Sequence, residues 1–289
     1  MSAGTKSGWD RRSDLRDVFG AVVDEYLSGP HDASFVHRGL HLAPHRFVAV
    51  VGTILEHFPD GGTFIDIGAG DGIVPRMLQK VGAGRVIVID SAEAGSGSLD
   101  ILAALGIETV SATVGAQPVP LPEGTADLIF AGDVIEHLPH SPRPFMLEIK
   151  RILKPGGWHV QDTPNAVCLR TRLKMLAGFS NWTTLDGIYW PDQNLYHHKE
   201  YTLTELVNLF TLSGFEEVSG RTYEQFWQRS LKQRGVLTTM GVDYGATSKF
   251  GSGFNYRHPY EYARMACWAT TSAVPSLKTS LVAAGRKPR

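Results

Sequence analysis

The chain has 289 residues, of which 43% are hydrophobic and 20% are charged, so it can bury the core of one large globular domain. Its 28 Lys and Arg residues nearly balance 29 Asp and Glu residues, and a net charge of -1 argues against nucleic acid and membranes as partners. Cys168 and Cys267 fit no disulfide or zinc spacing, and the first residues contain no apolar leader. We therefore expect a cytoplasmic protein.

Two helices are predicted before the main apolar pattern begins. Apolar residues recur at helical spacing over 14–27 and again over 44–58, where Pro44 can open the second helix. We predict a helical extension over residues 1–60 and a main domain over residues 61–289.

Short apolar runs then alternate with helical patterns. The predicted strands cover residues 63–68, 85–90, 107–114, 127–132 and 158–162, and the predicted helices between them cover 72–81, 97–105 and 143–153. Thr202 and Glu205 form a capping box for a later helix, and strands at 215–223 and 279–285 follow. The alternation predicts an α/β fold with a mostly parallel sheet and helices on both faces.

Two irregular stretches, near residues 165–200 and 226–258, interrupt this pattern and are interpreted as substrate lids. The first is rich in aromatic residues and histidines, whose rings suit stacking on the faces of sugars or aromatic compounds. The candidate acceptor-binding residues are Trp182, Tyr189, Tyr196 and His198. Several rings of this kind could instead seal the lid against the core or against a second subunit, so a homo-oligomer is compatible with the pattern.

The stretch FIDIGAGDG, residues 64–72, joins a predicted strand to a glycine-rich turn. Gly68 and Gly70 allow the backbone to turn and approach a ligand without a Cβ clash. Ile73 stands where a dinucleotide motif would have its third glycine, which argues against a nicotinamide cofactor. Asp90 ends the next predicted strand, where a carboxylate can accept hydrogen bonds from both ribose hydroxyls of a nicotinamide or an adenosyl cofactor.

The order of four segments closely resembles class I S-adenosylmethionine-dependent methyltransferases over about residues 60–220. These segments are FIDIGAGDG, VIVID at 86–90, DLIFAGDVIEHL at 127–138 and LKPGG at 153–157. Within that class the chain looks most like O-methyltransferases of the ubiquinone-biosynthesis type and their relatives that act on sugars and natural products. The resemblance implies a Rossmann-like sheet of seven strands, mostly parallel with a reversed last strand, and S-adenosylmethionine as the cofactor.

The resemblance also implies where the cofactor binds. The implied residues are Asp66, Gly68, Ala69, Gly70, Asp90, Ala116 and Asp133. The glycine turn and Asp66 would hold the methionine part, and Asp90 would hold the ribose. Relatives commonly carry an acid where Gly115 precedes Ala116 here, so we expect backbone groups around Ala116 to contact adenine instead.

His137 is the candidate catalytic base. It follows the strand at 127–132, at the edge where ligands meet the carboxyl ends of a parallel sheet. Methyl transfer to a hydroxyl needs in-line alignment and a base for the hydroxyl proton. Asp162, at the end of the next strand, could orient the imidazole, and some sugar O-methyltransferases that resemble this chain use a His and an Asp at comparable places. His137 could otherwise be a packing or capping residue.

A metal site is the competing interpretation of the same segment. Asp133, Glu136 and His137 have the i, i+3, i+4 spacing that places side chains on one face of a helical turn. Enzymes of the ubiquinone type carry a similar group that resembles a magnesium site, and a bound Mg²⁺ could lower the pKa of the acceptor hydroxyl. His137 cannot serve as a ligand and as the base in the same state.

These features lead to one leading functional hypothesis. We expect an S-adenosylmethionine-dependent O-methyltransferase that acts on a hydroxyl of a small metabolite or an oligosaccharide. The aromatic lid and the near-neutral charge favour a saccharide, and a phenolic or quinone precursor is nearly as compatible. The alternative is a methyltransferase-like module that binds the cofactor without transferring its methyl group.

Overall fold

Seven strands form one sheet at the centre of the protein. The structure, a computed structural model, describes residues 10–28, 44–91, 98–180, 197–224, 266–267 and 269–289. In chain order the strands are β1 Thr63–Ile67, β2 Arg85–Asp90, β3 Glu108–Ser111, β4 Ala126–Gly132, β5 Leu153–Pro164, β6 Glu216–Tyr223 and β7 Ser280–Arg286. They lie in the order β3-β2-β1-β4-β5-β7-β6. The first five pair in parallel, and β7 is antiparallel to both β5 and β6.

This arrangement confirms the predicted Rossmann-like sheet with a reversed last strand. Among the described residues, the helices that have defined bounds are α1 Asp10–Ser28, α2 Pro44–His57, α3 Ile73–Lys80, α4 Ser98–Ala104, α5 Arg143–Ile152, α6 Leu169–Leu176 and α7 Leu203–Leu212. The predicted capping box is present, since Thr202 accepts from the Glu205 amide while Glu205 accepts from the Thr202 amide. None of the described helices combines the length and hydropathy that a membrane span requires.

Helices cover both faces of the sheet because neighbouring strand residues point to opposite sides. Phe64 belongs to a core that includes buried residues of α1, α2 and α3, whereas the next residue, Ile65, belongs to a second core shared with α5 and α7. Both residues are fully buried. The N-terminal helices are thus part of the layer that covers one face, and the division of the chain at residue 60 remains a prediction.

Two strands differ from their predicted bounds by more than one residue. β5 begins at Leu153 rather than at residue 158, because Leu153 already pairs with Ala126 before the register shifts in the Lys-Pro-Gly-Gly segment. β3 is shorter than predicted, because the chain beyond Ser111 leaves the regular ladder. Of the two predicted lids, the structure describes residues 165–180 and 197–200, including α6, and the stretch 226–258 lies outside the described residues.

His159 of β5 is a fully buried histidine in the second core. Its Nδ1 lies 3.1 Å from the Ile129 carbonyl oxygen, and its ring stacks on Phe210 with centroids 5.0 Å apart. Burial lowers the pKa of His159 from 6.5 to about 4, since the charged imidazolium would be desolvated. His159 is therefore a neutral packing residue at physiological pH.

This buried imidazole predicts a pH-dependent stability. Because the pKa of His159 is lower in the folded state than in the unfolded state, its contribution is present above about 6.5 and is lost as pH falls toward 4. In His159→Phe that loss is absent. Denaturant titrations should show the free energy of unfolding of wild type, relative to the variant, falling by about 3 kcal/mol between about pH 7 and pH 4. A difference that stays constant with pH would contradict the assignment.

Candidate active site

The glycine turn after β1 is held in a conformation that suits glycine. Gly68, Gly70 and Gly72 have φ angles of 70°, 54° and 72°, in the left-handed region. The Gly68 amide donates to the Ile89 carbonyl at 2.8 Å, which ties the turn to β2. A Cβ atom on Gly68 would lie 2.5 Å from a methyl carbon of Val134, so the turn also packs closely on the segment after β4.

A cavity of about 250 Å³ opens beside this turn. Its walls come from α2, from the end of β1 and the following turn, from the start of α3, and from the end of β4. The lining residues are Arg46, Phe47, Val50, Asp66, Gly68, Ala69, Gly70, Asp71, Ile73, Val74, Phe130, Gly132 and Asp133. The cavity therefore contains the five implied cofactor residues Asp66, Gly68, Ala69, Gly70 and Asp133.

Asp66 is an unusually placed acid in the wall of this cavity. It is 2% exposed, and its Oδ1 atom has no hydrogen-bond partner among the residues that the structure describes. Burial raises the pKa of Asp66 well above its ordinary value, the charge of Asp90 raises it further, and Arg46 opposes both effects. A buried carboxyl oxygen without a partner is costly unless a ligand compensates it, so this wall fits the cationic amino group of an adenosylmethionine-type cofactor.

Asp90 lies at the end of β2, beside the same turn. Its Oδ1 accepts a hydrogen bond from the Ser91 amide at 2.8 Å. Burial raises the pKa of Asp90, and the Ser91 and Gly70 backbone amides partly offset that increase. Asp90 and Ala116, the other two implied cofactor residues, are not among the residues that line the cavity.

The unusual Gly115 has a packing explanation. It has a φ angle of 88°, and a Cβ atom at this position would lie 2.9 Å from the Phe145 backbone nitrogen at the start of α5. An acidic side chain of the kind found in relatives would not fit here. The Ala116 amide donates to the Thr113 carbonyl at 3.1 Å and is therefore not available to donate to an adenine ring nitrogen. The Ala116 carbonyl is the backbone group that could accept a hydrogen bond from an adenine amino group.

The hydrogen bonds of the Asp162 carboxylate go to residues of other elements and not to His137, whose imidazole it could orient according to the sequence. Oδ2 accepts from Arg46 Nη2 at 3.1 Å and Nε at 3.3 Å, and Oδ1 accepts from the Tyr223 hydroxyl at 2.7 Å. The sequence gives no signal for this cluster because Arg46 is 116 residues away, on α2. Arg46 also forms an ion pair with Asp133.

The structure separates the metal ligands predicted from helical spacing, because Glu136 and His137 lie together and Asp133 does not join them. Asp133 has a φ angle of 51°, and only Ile135–His137 forms a short 3₁₀ helix, so Asp133 does not share a helical face with Glu136 and His137. Among the described residues, the structure instead groups Glu136 and His137 with His197, with potential ligand atoms all within 4.8 Å of one another. The prediction that Asp133 shares a face with Glu136 and His137 assumed an α-helical turn, which this segment does not form.

This second group, which we call the histidine cluster (Glu136, His137 and His197), contains a buried carboxyl. Glu136 is fully buried, and its Oε2 accepts from the Thr163 hydroxyl at 2.9 Å, while its Oε1 has no partner within the described part of the chain. The pKa of Glu136 is raised to about 8, mainly by burial and to a smaller extent by the charge of Asp133. The rings of His137 and His197 meet edge to face with centroids 4.9 Å apart.

His197 is oriented by a carboxylate on its other side. Its Nδ1 lies 2.8 Å from Glu200 Oε1, and this contact raises the pKa of His197.

Of the four predicted acceptor-binding residues, His198 is exposed and donates its backbone amide to the Glu136 carbonyl at 2.7 Å. The remaining three, Trp182, Tyr189 and Tyr196, lie outside the described residues.

Comparisons with known proteins agree with this fold. A family model described as a methyltransferase domain matches residues 40–219, more than half of the chain. No curated protein sequence matches the chain. The fold and the family match together show that the chain belongs to the class I S-adenosylmethionine-dependent methyltransferases.

Three solved structures illustrate the similarity in fold. A SAM-dependent methyltransferase from Archaeoglobus fulgidus has a TM-score of 0.52 at 15% identity, over 83% of this chain and 92% of that one. A possible histamine N-methyltransferase from Thermotoga maritima has a TM-score of 0.52 at 16% identity, over 94% of this chain and 99% of that one. Phosphoethanolamine N-methyltransferase 2 of Haemonchus contortus, bound to phosphomonomethylethanolamine and S-adenosylhomocysteine, has a TM-score of 0.53 at 16% identity, over 85% of this chain and 53% of that one.

The close packing of Gly68 predicts that one added methyl group will disrupt cofactor binding. In Gly68→Ala the new Cβ would meet a methyl group of Val134, and at φ 70° it would also be strained, so the turn or Val134 must shift. We expect the Kd for S-adenosylhomocysteine, measured by calorimetry, to rise at least about tenfold. Gly61→Ala is the matched control, because Gly61 has a φ angle of 71° but nothing within 4 Å of its added Cβ. Equal effects of the two substitutions would show that backbone strain alone is responsible.

Proposed function

We propose that the protein transfers a methyl group from S-adenosylmethionine to a hydroxyl oxygen of a small metabolite or an oligosaccharide, with a saccharide as the favoured acceptor. The observation that carries this proposal is the histidine cluster at the end of β4, beside Asp133 of the cofactor cavity. An alcohol oxygen must lose its proton as it is methylated, so the reaction needs a base at this position, or a metal that lowers the pKa of the hydroxyl so that water can take the proton. The aromatic composition of residues 165–200 and the near-neutral charge favour a saccharide over a charged acceptor.

The cofactor would bind along the cavity with its charged groups matched to those of the wall. When bound, it supplies a methyl group on a cationic sulfur that leaves as a neutral thioether. Asp66 and Asp133 would pair with its ammonium group, and Asp90 would hold the ribose hydroxyls. Among the described lining residues, Arg46 alone carries a positive charge, which makes it the partner for the cofactor's carboxylate.

His137 would act as the general base. Its half-buried imidazole lies next to His197, whose orientation is fixed by Glu200. Alignment of the acceptor oxygen with the methyl group would supply most of the rate enhancement, and proton removal by His137 would supply the remainder. A phenolic or quinone precursor would satisfy the same geometry and is the alternative acceptor.

A bound metal ion is the second candidate mechanism, and it rests on the same histidine cluster. Two imidazoles and one carboxylate form a donor set that suits Zn²⁺ or another transition metal better than the Mg²⁺ expected from the sequence. The contact between Glu200 and His197 resembles the carboxylate–histidine pairs that orient metal ligands. A metal here would lower the pKa of the acceptor hydroxyl.

The catalytic role of His137 has a direct test. After an acceptor is found by screening saccharides, phenols and quinone precursors for a mass gain of one methyl group, we expect His137→Ala to lower kcat by about 100-fold or more. The Kd for S-adenosylhomocysteine should change by less than about twofold, because His137 is not among the residues that line the cofactor cavity.

His140→Ala is the matched control, since His140 lies three residues further along and is exposed. Unchanged turnover in His137→Ala would remove His137 as the base. Saturable cofactor binding without methylation of any acceptor would instead favour a module that binds the cofactor without transferring its methyl group.

Metal removal separates the two mechanisms. If the metal mechanism holds, wild type stripped with a chelator loses activity and binds one Zn²⁺ or Mn²⁺ ion by calorimetry, and His197→Ala loses that binding while His140→Ala keeps it. If His137 is the base, activity survives chelation. Activity after complete chelation would therefore exclude an essential ion.

A further inference from the structure

Two residues form a chain of hydrogen bonds behind Arg46: Asp162 contacts the guanidinium directly, and Tyr223 contacts Asp162. Asp162, on β5, accepts from both Nε and Nη2 of the guanidinium. Tyr223, the last residue of β6, donates its hydroxyl to the other oxygen of Asp162 at 2.7 Å. Because β7 lies between β5 and β6, the Tyr223 side chain reaches across β7 to make this contact.

The two acids that contact Arg46 differ in their exposure. The Asp162 side chain is 1% exposed, whereas the Asp133 side chain is 36% exposed and faces the cavity. An incoming carboxylate can therefore replace Asp133 at the outer side of Arg46, but it cannot reach the buried contact with Asp162. No described residue accepts a hydrogen bond from Arg46 Nη1, so this donor is also available on the guanidinium.

The charges balance in such an exchange. Before binding, one cation, Arg46, faces two carboxylates, Asp133 and Asp162. The cofactor adds an ammonium together with its carboxylate, so Asp133 can turn to the ammonium while Arg46 receives the carboxylate. Asp162 and Tyr223 stay in place and keep the guanidinium at the cavity wall.

The Tyr223 hydroxyl stabilises the ionised form of Asp162, which burial disfavours. Burial raises the pKa of Asp162 to about 6, and Arg46 and the Tyr223 hydroxyl both counteract that effect. Without the hydroxyl, the buried carboxylate loses one of its few hydrogen bonds and holds Arg46 less firmly. The Arg46 side chain, a long and flexible one, would then sample other positions.

We propose that Asp162 and Tyr223 are positioning residues that fix Arg46 to receive the carboxylate of the cofactor's amino-acid part. This rests on the proposed binding of S-adenosylmethionine in the cavity, and it assigns β5 and β6 a role in cofactor affinity. Neither residue touches the reacting atoms.

The test compares two ligands that differ in the amino-acid part. S-adenosylhomocysteine carries the carboxylate and the ammonium, whereas 5′-methylthioadenosine lacks both. In Tyr223→Phe we expect the calorimetric Kd for S-adenosylhomocysteine to rise about tenfold, while the Kd for 5′-methylthioadenosine stays within about twofold of wild type. Asp162→Asn should show the same selectivity, with thermal unfolding recorded for each variant.

Arg221→Ala is the matched control. Arg221 lies two residues before Tyr223 and also connects β6 to α2, through Thr53 and Glu56, but it is not among the residues that line the cavity. Its loss should leave both Kd values within about twofold of wild type.

The possible outcomes are distinct. Equal weakening of both ligands in Tyr223→Phe would make Tyr223 a general structural residue and overturn the proposal, as would an unchanged Kd for S-adenosylhomocysteine. Wild type that binds both ligands equally would show that Arg46 takes no carboxylate, which also overturns it. Wild type that binds neither ligand would instead refute the cofactor site on which the proposal rests.

Discussion

The parallel order of the sheet brings the carboxyl ends of β1, β4 and β5 to one edge, and the candidate site depends on this convergence. β1 supplies the glycine turn, β4 leads into Asp133, and β5 supplies Asp162. Two apolar cores, one on each face, hold the strands in this register. α2 crosses one face and brings Arg46 to the same edge, so the four elements meet around a single guanidinium.

Buried carboxyl groups are concentrated at this edge. Asp66, Glu136 and Asp162 are each at most 2% exposed, and burial raises the pKa of all three. Such groups reduce stability, and their concentration in one region is typical of a binding or catalytic site rather than of a packing core. Arg46 and the Tyr223 hydroxyl offset part of this cost, and the charged cofactor would offset more.

The sequence predicted the parts of the fold that depend on local pattern. The bounds of β2 and the turn after β1 followed from apolar runs and glycines, and the resemblance supplied the number of strands and the reversed direction of the last one. The hydrogen-bond partners of Asp162 could not be predicted from the sequence, because Arg46 and Tyr223 are distant from it in the chain and no spacing pattern connects them. His197 was recognised only as part of an aromatic stretch, since its approach to Glu136 depends on how the chain returns to the sheet.

Asp133 does not share a helical face with Glu136 and His137, and the backbone gives the reason. A left-handed residue directly after β4 changes the direction of the chain, so residues that would align on an α-helix separate into two groups. Asp133 goes to the Arg46 side of the edge, and Glu136 goes to the histidine side. This local turn places the cavity lining and the histidine cluster next to each other.

The cavity beside the glycine turn and the family match both point to S-adenosylmethionine as the cofactor. A calorimetric titration of the purified protein with S-adenosylhomocysteine, with NADH as the competing nucleotide cofactor, tests this assignment. We expect saturable binding of one S-adenosylhomocysteine per chain and no binding of NADH. Binding of NADH with no binding of S-adenosylhomocysteine would contradict the assignment.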